Sequence, residues 1–149
     1  MRIKTVKMKD LKFDPNLFRP MSTGRAIDSH FSSTKGLMRG TNYAIVGDPG
    51  IGKTTVMLDI LADLHMRGQK VLFISGEMNS IDMYGYVKRY PKFGELPILF
   101  MGDYTEDNCL KVIGEILEEG WDCVLIDSMA EVVNGVMDTH KGYMSSKRA

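Results

Sequence analysis

The sequence predicts an α/β fold in which a mainly parallel β-sheet is covered by helices on both faces. Four short apolar runs of strand type alternate with three segments of helical period. A glycine-rich turn joins the first apolar run to the first long helical segment. Acidic residues follow two of the later runs, at the strand ends where open α/β sheets bind ligands. We therefore expect a three-layer domain with a ligand site at one edge of its sheet.

The pattern divides the chain into an arm, residues 1–20, and a core, residues 21–149. In the arm, residues 3–6 predict a short strand, and two X-Pro pairs mark a loop after it. The core begins with a short predicted helix over residues 22–31. Its last residues, 143–149, look like the start of another helix.

The middle of the chain has a regular pattern. The predicted strands share an apolar composition of strand type, and they cover residues 43–46, 71–74, 97–101 and 123–126. The predicted helices share apolar positions three or four residues apart, and they cover residues 54–67, 81–90 and 106–119. Gly68, Pro91 and Gly120 are natural stops for these helices.

A motif of the form G-x-x-x-x-G-K-[ST] lies between the first strand and the first long helix. It consists of Gly47, Asp48, Pro49, Gly50, Ile51, Gly52, Lys53 and Thr54. Its glycines allow backbone N–H groups to surround an anion, and the helix that follows directs its unpaired N–H groups to the same place. Lys53 adds a full positive charge near the β- and γ-phosphates, and the Thr54 hydroxyl can bind Mg²⁺. The sequence therefore predicts a site for ATP and Mg²⁺, and a glycine-rich turn without a ligand is the alternative.

Two acidic residues follow buried strands and complete the predicted site. Asp127 ends the run Val-Leu-Ile-Asp, where an aspartate of the Walker-B type holds Mg²⁺ through water. Glu77 follows the second apolar run, in the sequence Ile-Ser-Gly-Glu, and would orient and deprotonate the attacking water. The alternative for Glu77 is an ordinary loop or N-cap acid.

Five segments within residues 20–135 resemble the ATPase core of RadA/Sms-type recombination proteins. They are Met21-Ser-Thr-Gly, Ile27-Asp28, the glycine-rich motif, Lys70-Val-Leu-Phe-Ile-Ser-Gly-Glu-Met78 and Val124-Leu-Ile-Asp-Ser128. More broadly, the chain is similar to the RecA-like group of P-loop NTPases, which includes DnaB-type helicase cores. The resemblance implies that Lys53, Thr54 and Thr55 bind the phosphates and the metal. It also implies that Glu77 is the catalytic acid–base group and that Asp127 supports Mg²⁺.

The chain departs from this family at both ends. The four-Cys zinc module, the Lon-like domain and the Lys-Asn-Arg-Phe-Gly segment of RadA/Sms proteins are absent from the sequence. RecA-like cores also have a further strand after the Walker-B strand, and it lies between the P-loop and Walker-B strands in the sheet. Only 22 residues follow Asp127. We therefore expect a RecA-like core truncated after the Walker-B strand, either as a fragment or as a shortened variant whose two central strands meet in another way.

Composition and charge exclude several other classes of protein. The 44% hydrophobic and 26% charged residues are those of a globular domain, and no apolar run approaches the roughly 18 residues of a membrane span. Cys109 and Cys123 form no Cys-x-x-Cys motif, which disfavours a disulfide framework or zinc site and fits a reducing cytoplasm. Residues 1–40 have a net charge of +6, and residues 94–138 have a net charge of −10. Such polarity can attract DNA or join one subunit to the next, and two solvated faces of opposite sign are the alternative.

These observations predict Mg-dependent ATP binding and hydrolysis coupled to single-stranded DNA recombination, repair or replication. The partners expected from the resemblance are single-stranded DNA and further copies of the chain, in a ring or filament, with no membrane partner. The alternative is a nucleotide-binding regulatory or assembly module that has no turnover of its own. A small-molecule kinase is a third possibility, which the dispersed positions of the seven arginines disfavour.

Overall fold

The protein is described by a computed structural model that covers residues 3–12, 14–47, 52–76, 78–104 and 108–128. Two compact units make up the chain, Met1–Ala44 and Ile45–Ala149. Each unit is described by itself. Within the described residues, no helix has the length and apolar character that crossing a membrane requires.

The N-terminal unit has little regular structure. Two 3-10 turns, Met8–Asp10 and Pro15–Phe18, precede the short helix α1, Asp28–Phe31. Met21 and Leu37 form an antiparallel bridge, and both side chains are buried. The strand predicted for residues 3–6 is wrong: these residues are in no strand, and none of the described strands pairs with them.

The predicted helix over residues 22–31 is reduced to α1 by a buried carboxylate. Asp28 accepts hydrogen bonds from the Thr23 hydroxyl at 2.6 Å, the Ser22 hydroxyl at 2.7 Å and the Thr23 backbone N–H at 3.0 Å. The Gly24 N–H donates to the same carboxylate at 3.1 Å. Burial alone would raise the pKa of Asp28, but these hydrogen bonds outweigh it and leave the pKa below its ordinary value. The network holds residues 22–24 in a turn, so the helix can begin only at Asp28.

The C-terminal unit contains the α/β structure that the sequence predicts. Its three strands form a parallel sheet in the order β2-β1-β3, and they are β1, Val71–Ser75, β2, Ile98–Phe100, and β3, Cys123–Asp127. Its helices are α2, Lys53–Met66, α3, Ser80–Arg89, and α4, Cys109–Glu118. The predicted parallel α/β fold is therefore confirmed, with element ends shifted by up to three residues.

Alternation along the central strand assigns one helix to each face of the sheet. Every residue of β1 is buried. Leu72 and Ile74 pack with Cys109 and the apolar side of α4. Because successive strand residues point to opposite faces, Val71 and Phe73 point to the other side, where α2 contacts β1 and β3. A sheet covered on both faces explains why the strands read as continuous apolar runs.

The predicted strand over residues 43–46 is wrong. These residues are in no strand, and Val46 is 91% exposed. Both edges of β1 are already occupied by β2 and β3, and among the described residues β3 has only β1 as a neighbour. An apolar run becomes a strand only when a neighbouring strand satisfies its backbone hydrogen bonds.

Candidate functional site

The glycine-rich motif leads directly into the first turn of α2. Gly52 is the N-cap of this helix and has a φ of +90°, which glycine adopts without the penalty that a side chain would bring. Lys53 and Thr54 are the first two helical residues, and Thr55 is half-buried beside them. The unpaired N–H groups of this turn and the positive end of the helix dipole therefore lie where the motif ends.

The Lys53 side chain reaches back to the first residue of the motif. Its ammonium group donates a hydrogen bond to the carbonyl oxygen of Gly47, at the start of the motif. An ammonium group has three donors, so two remain for an anion. This contact joins the two described ends of the motif, Gly47 and Lys53.

Thr54 and Asp127 meet at the carboxyl end of the sheet. The Thr54 hydroxyl donates to the carboxylate of Asp127, with 2.7 Å between the oxygen atoms, although the residues are 73 positions apart in sequence. Thr54 is placed by the start of α2, and Asp127 is the last residue of β3. Two hard oxygen donors are thus held together beside the helix N-terminus.

The same sheet edge carries a braced turn after β1. The Gly76 N–H donates to the Asp127 carbonyl oxygen at 2.8 Å, which ties the end of β1 to the end of β3. The buried Ser75 hydroxyl donates to the Met78 carbonyl and accepts from the Met78 N–H, both at 3.1 Å. Both neighbours of residue 77 are therefore fixed. Our sequence analysis did not identify Ser75, although its position as the polar last residue of an apolar run was a usable signal.

The described residues include part of the predicted site. Gly47, Gly52, Lys53, Thr54, Thr55 and Asp127 are described, and the structure brings Thr54 to Asp127 and Lys53 to Gly47. Asp48, Pro49, Gly50, Ile51 and Glu77 lie outside the described residues, so their predicted roles stay predictions.

The donor set fits a phosphate and a magnesium ion. Mg²⁺ takes hard oxygen ligands at about 2.1 Å and usually combines one or two carboxylates with substrate phosphates and water. The hydroxyl of Thr54 and the carboxylate of Asp127 are ligands of this kind. The Lys53 ammonium and the N–H groups at the start of α2 suit the phosphate oxygens.

This sheet and this strand-end site define an α/β domain of the RecA-like P-loop class. Comparison with known proteins narrows the relationship. The chain is 30% identical to the DNA repair protein RadA of Aquifex aeolicus over 113 residues, which are 76% of this chain and 24% of that protein. It is 32% identical to the RadA protein of Listeria monocytogenes over 114 residues, with the same two shares.

A shorter match has a higher identity. The RadA protein of Brucella abortus is 45% identical over 42 residues, which are 28% of this chain and 9% of that protein. No family model matches the chain, and no solved structure matches it. The chain spans about a quarter of the length of the first two relatives. Together these similarities identify the chain as a RadA/Sms-like relative within the RecA family.

Proposed function

We propose that this chain is the nucleotide-binding part of a Mg-dependent ATPase that acts in DNA recombination, repair or replication. The proposed partner is single-stranded DNA, and the proposed working form is a homo-oligomeric ring or filament. The relatives are named as DNA repair proteins, which supports the choice of process. We further propose a cytoplasmic location, residues 1–20 as an arm for assembly and residues 21–149 as a RecA-like core.

The contact between Thr54 and Asp127 is the observation that supports this proposal most strongly. A threonine hydroxyl and an aspartate carboxylate 2.7 Å apart can share one small cation. The adjacent start of α2 supplies N–H donors and the positive end of a helix dipole for an anion. A site that places ligands for a cation beside hydrogen-bond donors for an anion suits a metal–phosphate complex better than either ion alone.

Each residue has a proposed role in hydrolysis. Lys53 binds the β- and γ-phosphates, with help from the backbone N–H groups of the motif and Thr55. Thr54 and Asp127 hold Mg²⁺, which supplies neutralisation of the charge that develops on the phosphate oxygens. Glu77 orients the attacking water and accepts its proton. The hydrogen bonds around Ser75 and Gly76 support this role, because they fix both neighbours of Glu77 at the edge that carries Asp127.

A second candidate is a nucleotide-binding module without turnover of its own. One observation favours it: the described sheet has only three strands, and residues 43–46 before the motif pair with none of them. A phosphate-binding loop that is less firmly anchored can bind nucleotide and still fail to align it for in-line attack.

The deciding experiment measures ATP binding and phosphate release with and without single-stranded DNA. Phosphate release that DNA stimulates supports the ATPase. Tight binding without release, in the presence or absence of DNA, supports the regulatory module. Transfer of phosphate to a small acceptor would contradict both, and absence of any nucleotide binding would remove the proposed site.

A further inference from the structure

The outer side of α4 carries an apolar stripe that no described residue covers. Leu110 is 64% exposed and Leu117 is 41% exposed. Gly114 lies between them on the same side of the helix, and a Cβ atom added to it would meet nothing within 4 Å. Leu110, Gly114 and Leu117 form what we call the outer stripe. The opposite side of α4 is already used, because Val112, Ile113 and Ile116 pack against the sheet.

Acidic side chains border the outer stripe. Glu118 and Glu119 are exposed at the end of α4, and within the described part of the chain neither carboxylate is paired with a cation. The single basic residue of α4, Lys111, lies 3.9 Å from Glu115. The surface therefore suits an apolar partner that also carries positive charge.

The arm of the same chain has this chemistry. Residues 3–12 are all exposed, and four of them are apolar: Ile3, Val6, Met8 and Leu11. Four lysines alternate with these residues: Lys4, Lys7, Lys9 and Lys12. Within the described residues none of the four lysines forms an ion pair. An exposed segment that combines apolar and basic side chains gains by docking on an apolar surface bordered by acids.

The spacing of the two segments also agrees. Ile3 and Val6 are about 10 Å apart in an extended chain, at roughly 3.3 Å per residue. Leu110 and Leu117 are about 10.5 Å apart along the helix axis, at roughly 1.5 Å per residue. We propose that residues 3–12 of one copy dock on the outer stripe of a second copy, with the arm lysines beside Glu118 and Glu119.

This inference rests on the assembly in the proposed function and names the surfaces that would carry it. Residues 3–6 form no strand, so the proposed contact is made by side chains and not by addition of a strand to a sheet. The contact joins different surfaces on the two copies, so it can repeat from copy to copy and either close into a ring or continue as a filament. Because exposed charges contribute to it, the association should weaken as salt is raised.

The test measures the mass of the full chain by light scattering with ATP and Mg²⁺ at low and high salt. Charge reversal of the arm by K4E/K7E, or of α4 by E118K/E119K, should weaken self-association by about tenfold. Glu95→Lys is the matched control, because it reverses an exposed acid of the same acidic region away from α4. A wild-type chain that stays monomeric at every concentration and salt would overturn the proposal.

Mixing the two charge-reversal variants gives the sharper result. The reversed arm of one variant then matches the reversed helix of the other, and the unchanged basic arm of the second variant matches the unchanged acidic helix of the first. The mixture should therefore recover growth by alternation of the two variants, although neither variant associates well alone. No association in the mixture overturns the proposal, as does loss of DNA binding in K4E/K7E with unchanged self-association. ATP binding, which uses neither surface, should be normal in both variants, so a failure of the nucleotide site would be seen separately.

Discussion

Thr54 and Asp127 owe their contact to two positions that each follow from local sequence. Glycine at the N-cap starts α2 at Lys53, which puts Thr54 in the first turn, and the apolar run of β3 puts Asp127 at the end of a buried strand. In a parallel sheet these positions face the same edge. The described part of the site was therefore predictable, whereas the direction of the Lys53 side chain depends on a loop that no sequence rule specifies.

Lys53→Ala should weaken binding of Mg·ATP by about tenfold to a hundredfold, because a charge-assisted hydrogen bond contributes about 1.5–3 kcal/mol. The fold should be retained, since alanine is a better helix former than lysine. Isothermal titration calorimetry measures the affinity, and circular dichroism checks the fold. Lys70→Ala is the control, because Lys70 contacts Trp121 and the Glu119 carbonyl beyond the other end of β1. Equal affinity in wild type and Lys53→Ala would remove the phosphate site.

Glu77→Gln should reduce ATP hydrolysis by about 10²–10⁴-fold, the usual contribution of a general base. The glutamine side chain has nearly the same shape and volume as the glutamate side chain, so binding of Mg·ATP should persist. Steady-state phosphate release and a separate binding titration distinguish these effects, with Glu95→Gln as the control. Turnover at the wild-type rate would identify Glu77 as an ordinary loop acid.

Asp28→Asn should destabilise the protein by about 1–3 kcal/mol at neutral pH, because the amide cannot accept all the hydrogen bonds that the carboxylate accepts. The pKa of Asp28 is lower in the folded state, so its stabilising effect is fully present above about pH 4 and is lost as the pH falls through the folded value. The stability difference between wild type and variant should therefore shrink in acid. Urea unfolding followed by circular dichroism from neutral to acidic pH measures it.

The exposed Asp14 gives the matched control for this prediction. It accepts one hydrogen bond, from the Asn16 N–H. Asp14→Asn should cost much less than Asp28→Asn, because only one exposed hydrogen bond is affected. If the stability difference between wild type and Asp28→Asn stayed constant as the pH fell, that result would contradict the proposed role of the low pKa of Asp28.

Whole elements were predictable where their local signals agreed with a place in the sheet. β1, β3, α2 and α4 have both an apolar pattern and neighbours that bury it. Residues 3–6 and 43–46 have the strand pattern, but none of the described strands pairs with them. Pairing depends on distant parts of the chain that a local pattern does not describe. The turn at residues 22–24 was missed because its cause, the buried Asp28 carboxylate, acts across several residues.

The start of α3 allows a test of capping at the element scale. Asn79 accepts a hydrogen bond from the Asp82 N–H at 3.0 Å, and the Asp82 carboxylate accepts one from the Asn79 N–H at 3.2 Å. Asn79→Ala should cost about 1 kcal/mol of unfolding free energy, because it leaves a helix N–H group without its partner. Asn108→Ala at the start of α4 removes a single, longer bond of 3.3 Å and should cost less. Equal losses measured by urea unfolding would contradict the contribution of the paired cap.

At the scale of the molecule, the basic residues 1–40 and the acidic residues 94–138 would favour the proposed head-to-tail association. Deletion of residues 1–20 should abolish growth in light scattering with ATP and Mg²⁺, since the deleted arm carries the exposed lysines. The affinity for ATP should not change, because no described site residue lies in the arm. Growth that persists without the arm would assign assembly to another surface.

Trp121, the single tryptophan of the chain, can serve as a fluorescence probe of folding in the C-terminal unit. The Trp121 indole N–H donates to the Ile116 carbonyl at 2.7 Å, its ring packs against the core below α4, and the Lys70 ammonium lies 4.5 Å from its centre. Trp121 precedes β3, whereas Asp127 ends it, so about 16 to 20 Å of strand separates the ring from the phosphate site. Its emission should shift to longer wavelength when the sheet unfolds and should change little when nucleotide binds. Thermal unfolding followed by tryptophan fluorescence therefore reports the stability of this unit without a direct signal from bound nucleotide. Any rise in the midpoint temperature when nucleotide is added measures how strongly binding stabilises the folded unit.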